Sequence, residues 1–248
     1  MPSRPHYEHT HLIDRERIEL ACDYIVHEFR KIFREIAHED AYKAIVHLAP
    51  SSHDDEDIRD IRIRDFWNLF CGMSNTWRLK DLCPCVTAVN FAWKKENVPL
   101  PSLYPESRQG WMKKLNPCNF RQAILHLEGK RNLEEALKEC ENERARHPRG
   151  NENDPLIAIK RQGVYQILDG NGRFSQRIVK WASEGQRRPY PTMLVWVGQG
   201  DNGPRNYWMP TDHLFVVKRF YGSNTDRVVG AISSLALIEY RDRVKGDP

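Results

Sequence analysis

The residues of this chain that could do chemistry lie in one short stretch, Asp169-Gly170-Asn171-Gly172-Arg173. Glycines let a backbone turn its N–H groups toward a ligand, and an arginine supplies a positive charge for phosphate oxygens. The carboxylate of Asp169 could hold a divalent metal such as magnesium or act as a base. The pattern predicts a site for a nucleotide or another phosphorylated ligand, and it is also typical of an ordinary tight turn.

The segments around this loop must position it. Residues 156–160 and 164–168 have the apolar, β-branched composition of two strands, and Gly163 between them predicts a hairpin. From Phe174, apolar residues recur at helical spacing, so we expect a helix directly after the loop. Residues 192–197 then have the composition of a third strand. A loop between a strand and a helix places an anion at the positive end of that helix.

Basic side chains are concentrated around the loop and its helix. They are Arg173, Arg177, Lys180, Arg187 and Arg188, opposed only by Asp169 and Glu184. Such a group is often a solvated helix face, and beside a glycine-rich loop it also fits a polyanion or nucleotide. Arg173 and Arg177 are the predicted phosphate ligands, and we expect Arg173 to be exposed. The net charge of the chain is only +4, with both signs mixed, so composition gives weak support for nucleic-acid binding.

The order of a short strand, a turn, the run Tyr-Gln-Ile-Leu-Asp-Gly ending at Gly170, two residues, Arg173 and a helix resembles the ParB/sulfiredoxin-like fold. The resemblance covers roughly residues 120–197. It implies a first strand near residues 122–127, a first helix near 133–140, and a Gly-x-x-Arg loop that holds a nucleotide or another phosphate-bearing group. Glu128, just after the implied first strand, becomes a second candidate base beside Asp169.

The chain departs from individual members of that family. Asn171 stands where sulfiredoxins have a cysteine, so thiol-based sulfinic acid repair has no nucleophile. Gly172 stands where ParB proteins carry a second arginine, and we expect too little chain after it for their helix-turn-helix domain. The resemblance therefore implies binding of a nucleotide or phosphorylated ligand, with hydrolysis or phosphoryl transfer open. A ParB-like nuclease or another DNA- or RNA-acting protein is the alternative.

Two further alternatives remain. The same loop is similar to the phosphate loop of Fic-type AMP transferases, but Tyr165 stands where that family has a histidine, and Arg177 follows Arg173 by four positions instead of three. A Fic-type chain would also place a helix or loop at residues 164–168, where this chain favours a strand. A catalytically silent interaction module is the last alternative.

The predicted fold class is α+β, with a mainly helical half, residues 1–110, packed on a small mixed sheet in residues 111–248. Asp14 could cap a long amphipathic helix that continues to Ile36. Residues 77–96 predict a helix broken at Pro84, residues 98–109 a connector at the domain boundary, and residues 228–241 a closing helix. The chemistry of the helical half cannot be read from its residues.

The composition predicts a cytoplasmic protein without a membrane partner. The sequence has no run of roughly 20 apolar residues, the length that crosses a bilayer. Its six cysteines are scattered among apolar neighbours, so we expect reduced, buried thiols. His6, His9 and His11 lie in a polar terminus that we expect to be flexible. The oligomeric state stays open.

Overall fold

The computed structural model describes residues 9–32, 36–73, 76–105, 110–116, 118–146, 153–185, 189–200 and 203–207. The chain divides into two compact units. The described residues up to Val89, together with residues 205–207, belong to the first unit, and the described residues between Asn90 and Pro204 belong to the second. The boundary expected near residue 110 lies inside the second unit, because residues 91–105 form two strands of its sheet. The closing helix expected at residues 228–241 lies outside the described residues.

The first unit is helical, as its periodicity predicted. A short 3₁₀ helix (His9–Ile13) precedes α1 (Arg15–Ile32), α2 (His38–Leu48), α3 (Glu56–Met73) and α4 (Thr76–Thr87). Aromatic rings fill its core: Trp67 and Phe70 meet edge to face with their centroids 5.4 Å apart. The expected flexibility of the N-terminal residues does not extend to His11, whose ring lies 3.1 Å from the carbonyl oxygen of Thr87. His6 lies outside the described residues.

Residues 77–96 do not form one helix. Helix α4 contains Pro84 and ends at Thr87, and the chain then enters β1 (Phe91–Pro99). Side chains in β1 alternate between buried and exposed at its start, which is the period of a strand with one face on a core.

The second unit contains a five-stranded mixed sheet. Its other strands are β2 (Leu103–Pro105), β3 (Leu156–Arg161), β4 (Val164–Asp169) and β5 (Thr192–Gly200), in the order β1-β5-β3-β4-β2. The pairs β1–β5 and β3–β4 are antiparallel, whereas β3–β5 and β4–β2 are parallel. Its helices are α5 (Phe120–Leu127), α6 (Lys130–Arg146) and α7 (Asn171–Ser183), with short 3₁₀ helices at Leu100–Ser102 and Gly110–Lys114. The chain is therefore α+β, as predicted.

The predicted hairpin is present. Strands β3 and β4 pair with Lys160 opposite Tyr165 and Arg161 opposite Val164. Gln162 and Gly163 both have positive φ angles, of 49° and 81°, which is the backbone of the two-residue turn that best fits the twist of two strands. Residues 164–168 are thus a strand, which the Fic-type alternative does not predict.

The first strand expected at residues 122–127 is wrong, because these residues belong to α5. The side chain of Asn119 accepts a hydrogen bond of 2.9 Å from the backbone N–H of Gln122, which caps the start of a helix. Phe120, Ala123 and Leu127 are buried at helical spacing. The cap and the period of the apolar residues therefore outweigh the strand that the family resemblance implied.

The core of the second unit lies between the sheet and its helices. Phe174 and Ile178 of α7 are fully buried with Leu156 and Ile167 of the hairpin. The six cysteines form no disulfide bond, and all except Cys118 are buried. In the part of the chain that the structure describes, no helix has the length and apolar character that a bilayer span requires.

Candidate functional site

The loop between β4 and α7 is closed by glycine. Gly170 has a φ of 98°, in the left-handed region that side chains disfavour. A Cβ atom on this residue would lie 2.3 Å from Cδ2 of Leu156 and 2.9 Å from Nη2 of Arg173. Gly170 is therefore required twice, by its backbone angle and by the close approach of two side chains. The side chains of Leu156 and Arg173 therefore occupy the space beside Gly170 in the predicted phosphate loop.

Arg173 is buried, which contradicts the expectation that it is exposed. Its Nη2 donates a hydrogen bond of 3.1 Å to Oδ2 of Asp169, and the two residues are only 9% and 2% exposed. Asp169 ends β4 and Arg173 lies in the first turn of α7, so the ion pair ties the helix to the strand. In this position Asp169 orients the guanidinium, and it offers little access to a metal or a substrate.

A cavity of about 390 Å³ lies along one side of α7, and we call it the α7 cavity. Helix α7 lines it with polar residues at positions i, i+3, i+4 and i+7, which share one helical face: Arg173, Gln176, Arg177 and Lys180. The other lining residues come from β1, from the segment before β3 and from the start of β5: Asn97, Asn153, Asp154, Thr192, Met193 and Leu194.

The charge of the α7 cavity is predominantly positive. Three of its lining side chains are cationic, and Asp154 is the only carboxylate among the described residues that line it. Arg173 is already paired with Asp169, whereas Arg177 and Lys180 form no ion pair with any described residue. Arg177 is half-buried and Lys180 is exposed. The cavity thus combines one arginine that is fixed by an ion pair with two cationic side chains that are available to contact an anion.

The predicted site residues do not all come together. Arg173 and Arg177 line the α7 cavity, and Asp169 lies behind Arg173. Gly170, Asn171 and Gly172 do not line it. A cavity lined by cationic side chains therefore lies along the side of α7, whereas the sequence placed the anion at the N-terminal end of that helix.

Asn171 and Glu128 have other surroundings. Asn171 is 3% exposed, and its side-chain oxygen accepts no hydrogen bond from any described residue. Glu128 lies at the C-cap of α5, is exposed, and does not line the α7 cavity. Its predicted role as a base rested on a strand that the structure replaces with a helix.

Sequence reasoning missed Gln176, Asn97 and Thr192 as lining residues. Gln176 could have been found, because it follows Arg173 by three positions and precedes Lys180 by four on one helical face. Asn97 could not, because it reaches the cavity only through the antiparallel pairing of β1 with β5, in which it lies opposite Leu194.

The donor set for a metal is incomplete around Asp169. The described ranges contain no group of three or more His, Cys, Asp or Glu side chains that could hold a metal ion. Magnesium bound together with a nucleotide stays a prediction.

Comparisons of the chain with protein-family models, with curated proteins and with solved structures each gave no match.

Proposed function

We propose that this chain binds a phosphorylated small molecule, such as a nucleotide, in the α7 cavity. One observation carries the proposal: Arg177 and Lys180 share a helical face with Arg173 beside a cavity, and neither pairs with a carboxylate of the described residues. Hydrogen bonds between cations and phosphate oxygens are about twice as strong as neutral ones, and a concave wall limits competition from water.

Each lining group has a role in this proposal. Arg177 presents a planar guanidinium that can donate two parallel hydrogen bonds to one phosphate, and Lys180 adds a mobile point charge at the rim. Arg173 supplies a fixed charge, because Asp169 holds its orientation. Asn97 and Thr192 offer neutral hydrogen-bonding groups to the remainder of the ligand. A volume near 390 Å³ is typical of cavities that hold small molecules.

Hydrolysis or phosphoryl transfer at this site would need a base. Asp154, which is 8% exposed and lines the cavity, is better placed for that role than Asp169 or Glu128. The resemblance of the hairpin, loop and helix to ParB/sulfiredoxin-like proteins is a second support for a phosphate-bearing ligand. This resemblance is compatible with both binding and catalysis, and the function that we propose is binding.

The test is calorimetric titration of the full chain with ATP, AMP, ribose 5-phosphate and inorganic phosphate, each with and without magnesium. We expect at least one of these ligands to bind. A double variant, Arg177→Ala with Lys180→Ala, should weaken that ligand by at least about 10-fold, since each charged hydrogen bond contributes roughly 1.5–3 kcal/mol. Its free energy of unfolding should change by less than about 0.5 kcal/mol, because neither side chain is buried.

The matched control is Arg121→Ala with Lys138→Ala, which removes two exposed cations from α5 and α6. This control should bind the ligand like the unaltered chain. If both double variants bind equally well, or if no phosphorylated ligand binds, the α7 cavity is not the site.

Titration also distinguishes nucleotide binding from the alternative that the protein acts on nucleic acid. Neutralising several phosphates of a duplex or single strand makes the logarithm of the binding constant fall steeply with the logarithm of salt concentration. A nucleotide that contacts Arg177 and Lys180 should show a shallow dependence. Retention of an oligonucleotide with a steep salt slope, together with no binding of mononucleotides, would favour the nucleic-acid-acting alternative. Binding of neither ligand would favour an interaction module.

A further inference from the structure

A second cavity, of about 240 Å³, lies on a different side of α7 from the α7 cavity, and we call it the Trp111 cavity. Ser175 lines it, and Ser175 is turned by roughly 200° around the helix axis from Arg173. The other lining residues come from the 3₁₀ helix Gly110–Lys114 and from α6: Gly110, Trp111, Glu139, Cys140, Asn142 and Glu143. None of these lining residues carries a positive charge, and two carry a carboxylate.

Two of the residues that line this cavity have a buried polar side-chain atom without a hydrogen-bond partner among the described residues. One of these atoms is the indole N–H of Trp111, a residue that is 2% exposed and whose ring stacks on His126 with centroids 6.0 Å apart. The other is Oε2 of Glu139. Folded proteins rarely leave such groups unmet, because each has given up its hydrogen bonds to water. A donor and an acceptor that both lack partners among the described residues, on two side chains that line one cavity, point to a molecule that serves both.

The backbone makes room for the carboxylate. Gly110 has a φ of 53°, and a Cβ atom there would lie 2.7 Å from Oε2 of Glu139. Glycine at this position therefore lets the carboxylate oxygen lie directly against the main chain at the cavity wall. Glu143 follows Glu139 by four positions, so the two carboxylates are neighbours on one face of α6.

We propose that the Trp111 cavity binds a small organic ammonium ion that also carries an oxygen acceptor. The ammonium group would donate to Glu139 and Glu143, and the ligand oxygen would accept from the indole N–H of Trp111. The hydroxyl of Ser175 and the amide of Asn142 are further partners on the wall. The negative charge of the cavity disfavours the phosphates that suit the α7 cavity, so this site takes a different class of ligand and does not depend on the proposed function.

The test follows the indole N–H signal of Trp111 by nitrogen-edited NMR of the full chain. The sequence has seven tryptophans, and the signal is assigned as the one that disappears in Trp111→Phe. Three probes of similar size are titrated: ethanolamine, ethylamine and ethylene glycol. We expect saturable shifts with ethanolamine, several-fold weaker binding of ethylamine, which lacks the oxygen, and no saturation with ethylene glycol, which lacks the charge.

Substitutions test which carboxylates bind the ammonium group. Glu139→Gln should weaken ethanolamine at least 10-fold, because it alters the carboxylate whose buried Oε2 lacks a partner among the described residues. Glu143→Gln should weaken it by a smaller factor. Glu134→Gln, an exposed residue of the same helix, is the matched control and should bind normally. The proposal is overturned if no probe shifts the Trp111 signal. That result is expected if ordered water alone accepts the hydrogen bond of the indole N–H. The proposal is equally overturned if ethylene glycol binds as well as ethanolamine, or if ethanolamine binding survives both Glu139→Gln and Glu143→Gln.

Discussion

Each unit of this protein contains a buried arginine, and the two are held in different ways. Arg17 in α1 is 2% exposed, and its guanidinium donates to the backbone carbonyl oxygens of Val86 and Ala88, the latter at 2.8 Å. Arg173 in α7 is 9% exposed and donates to a buried carboxylate, Asp169. The first arginine fastens the end of α4 to α1, and the second fastens α7 to β4.

The electrostatic surroundings of the two arginines also differ. Burial lowers the pKa of Arg17, and the carboxylate of the half-exposed Asp14, 3.9 Å away, opposes this shift. Arg173 has a counter-ion at 3.1 Å, lines a cavity, and has Arg177 one helical turn away. A buried arginine is thus no sign of a site by itself. The neighbouring cavity and the additional cations are what distinguish Arg173.

The largest effect is expected from Arg173→Ala. It should lower the free energy of unfolding of the second unit by about 3–5 kcal/mol, because it leaves the carboxylate of Asp169 buried without its counter-ion. The measurement is chemical denaturation, with amide hydrogen exchange to separate the two units. Replacing both partners, as in Asp169→Leu with Arg173→Leu, should cost less than Arg173→Ala alone. A loss below about 1 kcal/mol in Arg173→Ala would contradict a structural ion pair.

Arg17→Met should have the next largest effect. It removes the donor from two buried carbonyl groups, and an unmet buried acceptor costs roughly 1–3 kcal/mol, so we expect a loss of about 2–4 kcal/mol in the first unit. Arg15→Met, at an exposed position of the same helix, is the control and should be nearly neutral. Equal stability of the two variants would show that Arg17 does not fasten α4.

Gly163→Val tests the hairpin that carries Asp169. A β-branched residue at a φ of 81° is strained by about 1–2 kcal/mol, although the position itself has open space around it. Asparagine tolerates this backbone better, so Gly163→Asn should lose less stability than Gly163→Val. Identical thermal midpoints for the two variants would argue against a turn with two positive φ angles.

The last expected effect is a pH dependence that appears only at alkaline pH and is confined to the first unit. Burial raises the pKa of the Cys22 thiol from 9.0 to about 12, with Asp23 and Glu19 adding to the shift, and burial also raises the pKa of Tyr42 to about 12. Because the folded state holds the thiol proton more tightly than the unfolded state, stability is retained below pH 9 and declines between pH 9 and 12.

The slope of that decline should be on the order of 1 kcal/mol per pH unit. Denaturation curves of the first unit at about pH 8, below this window, and at about pH 10 and 11, within it, measure the slope. In Cys22→Ala the slope should be shallower, whatever the absolute stability of that variant. An unchanged slope would exclude the thiol as its source.

Local patterns predicted the elements that carry the site. The hairpin, α7 and β5 follow from β-branched runs, a glycine turn and helical spacing, all of which act within a few residues. The strands β1 and β2 were missed. Lys94, Lys95 and Glu96 interrupt the apolar pattern of β1, and its strand conformation depends on pairing with β5, about a hundred residues later. Such long-range pairing is not encoded in a local period.

The site itself was predicted in part. Arg173 and Arg177 follow from charge and helical spacing, but the loop at Gly170 was expected to be an open cradle for phosphate. Only the three-dimensional packing shows that Leu156 and the guanidinium of Arg173 fill it. The same residues that suggested a ligand loop thus build a structural ion pair, and the anion-binding face that we propose begins one helical turn later, at Arg177.

The outer strands of the sheet have a consequence for the behaviour of the protein at high concentration. Exposed strand edges can recruit strands from other chains and so start aggregation. Strand β1 carries three successive charged residues and ends at Pro99, and β2 is only three residues long and ends at Pro105. Charge, shortness and proline all oppose the addition of another strand. Both borders of the sheet therefore protect the folded protein against edge-to-edge assembly.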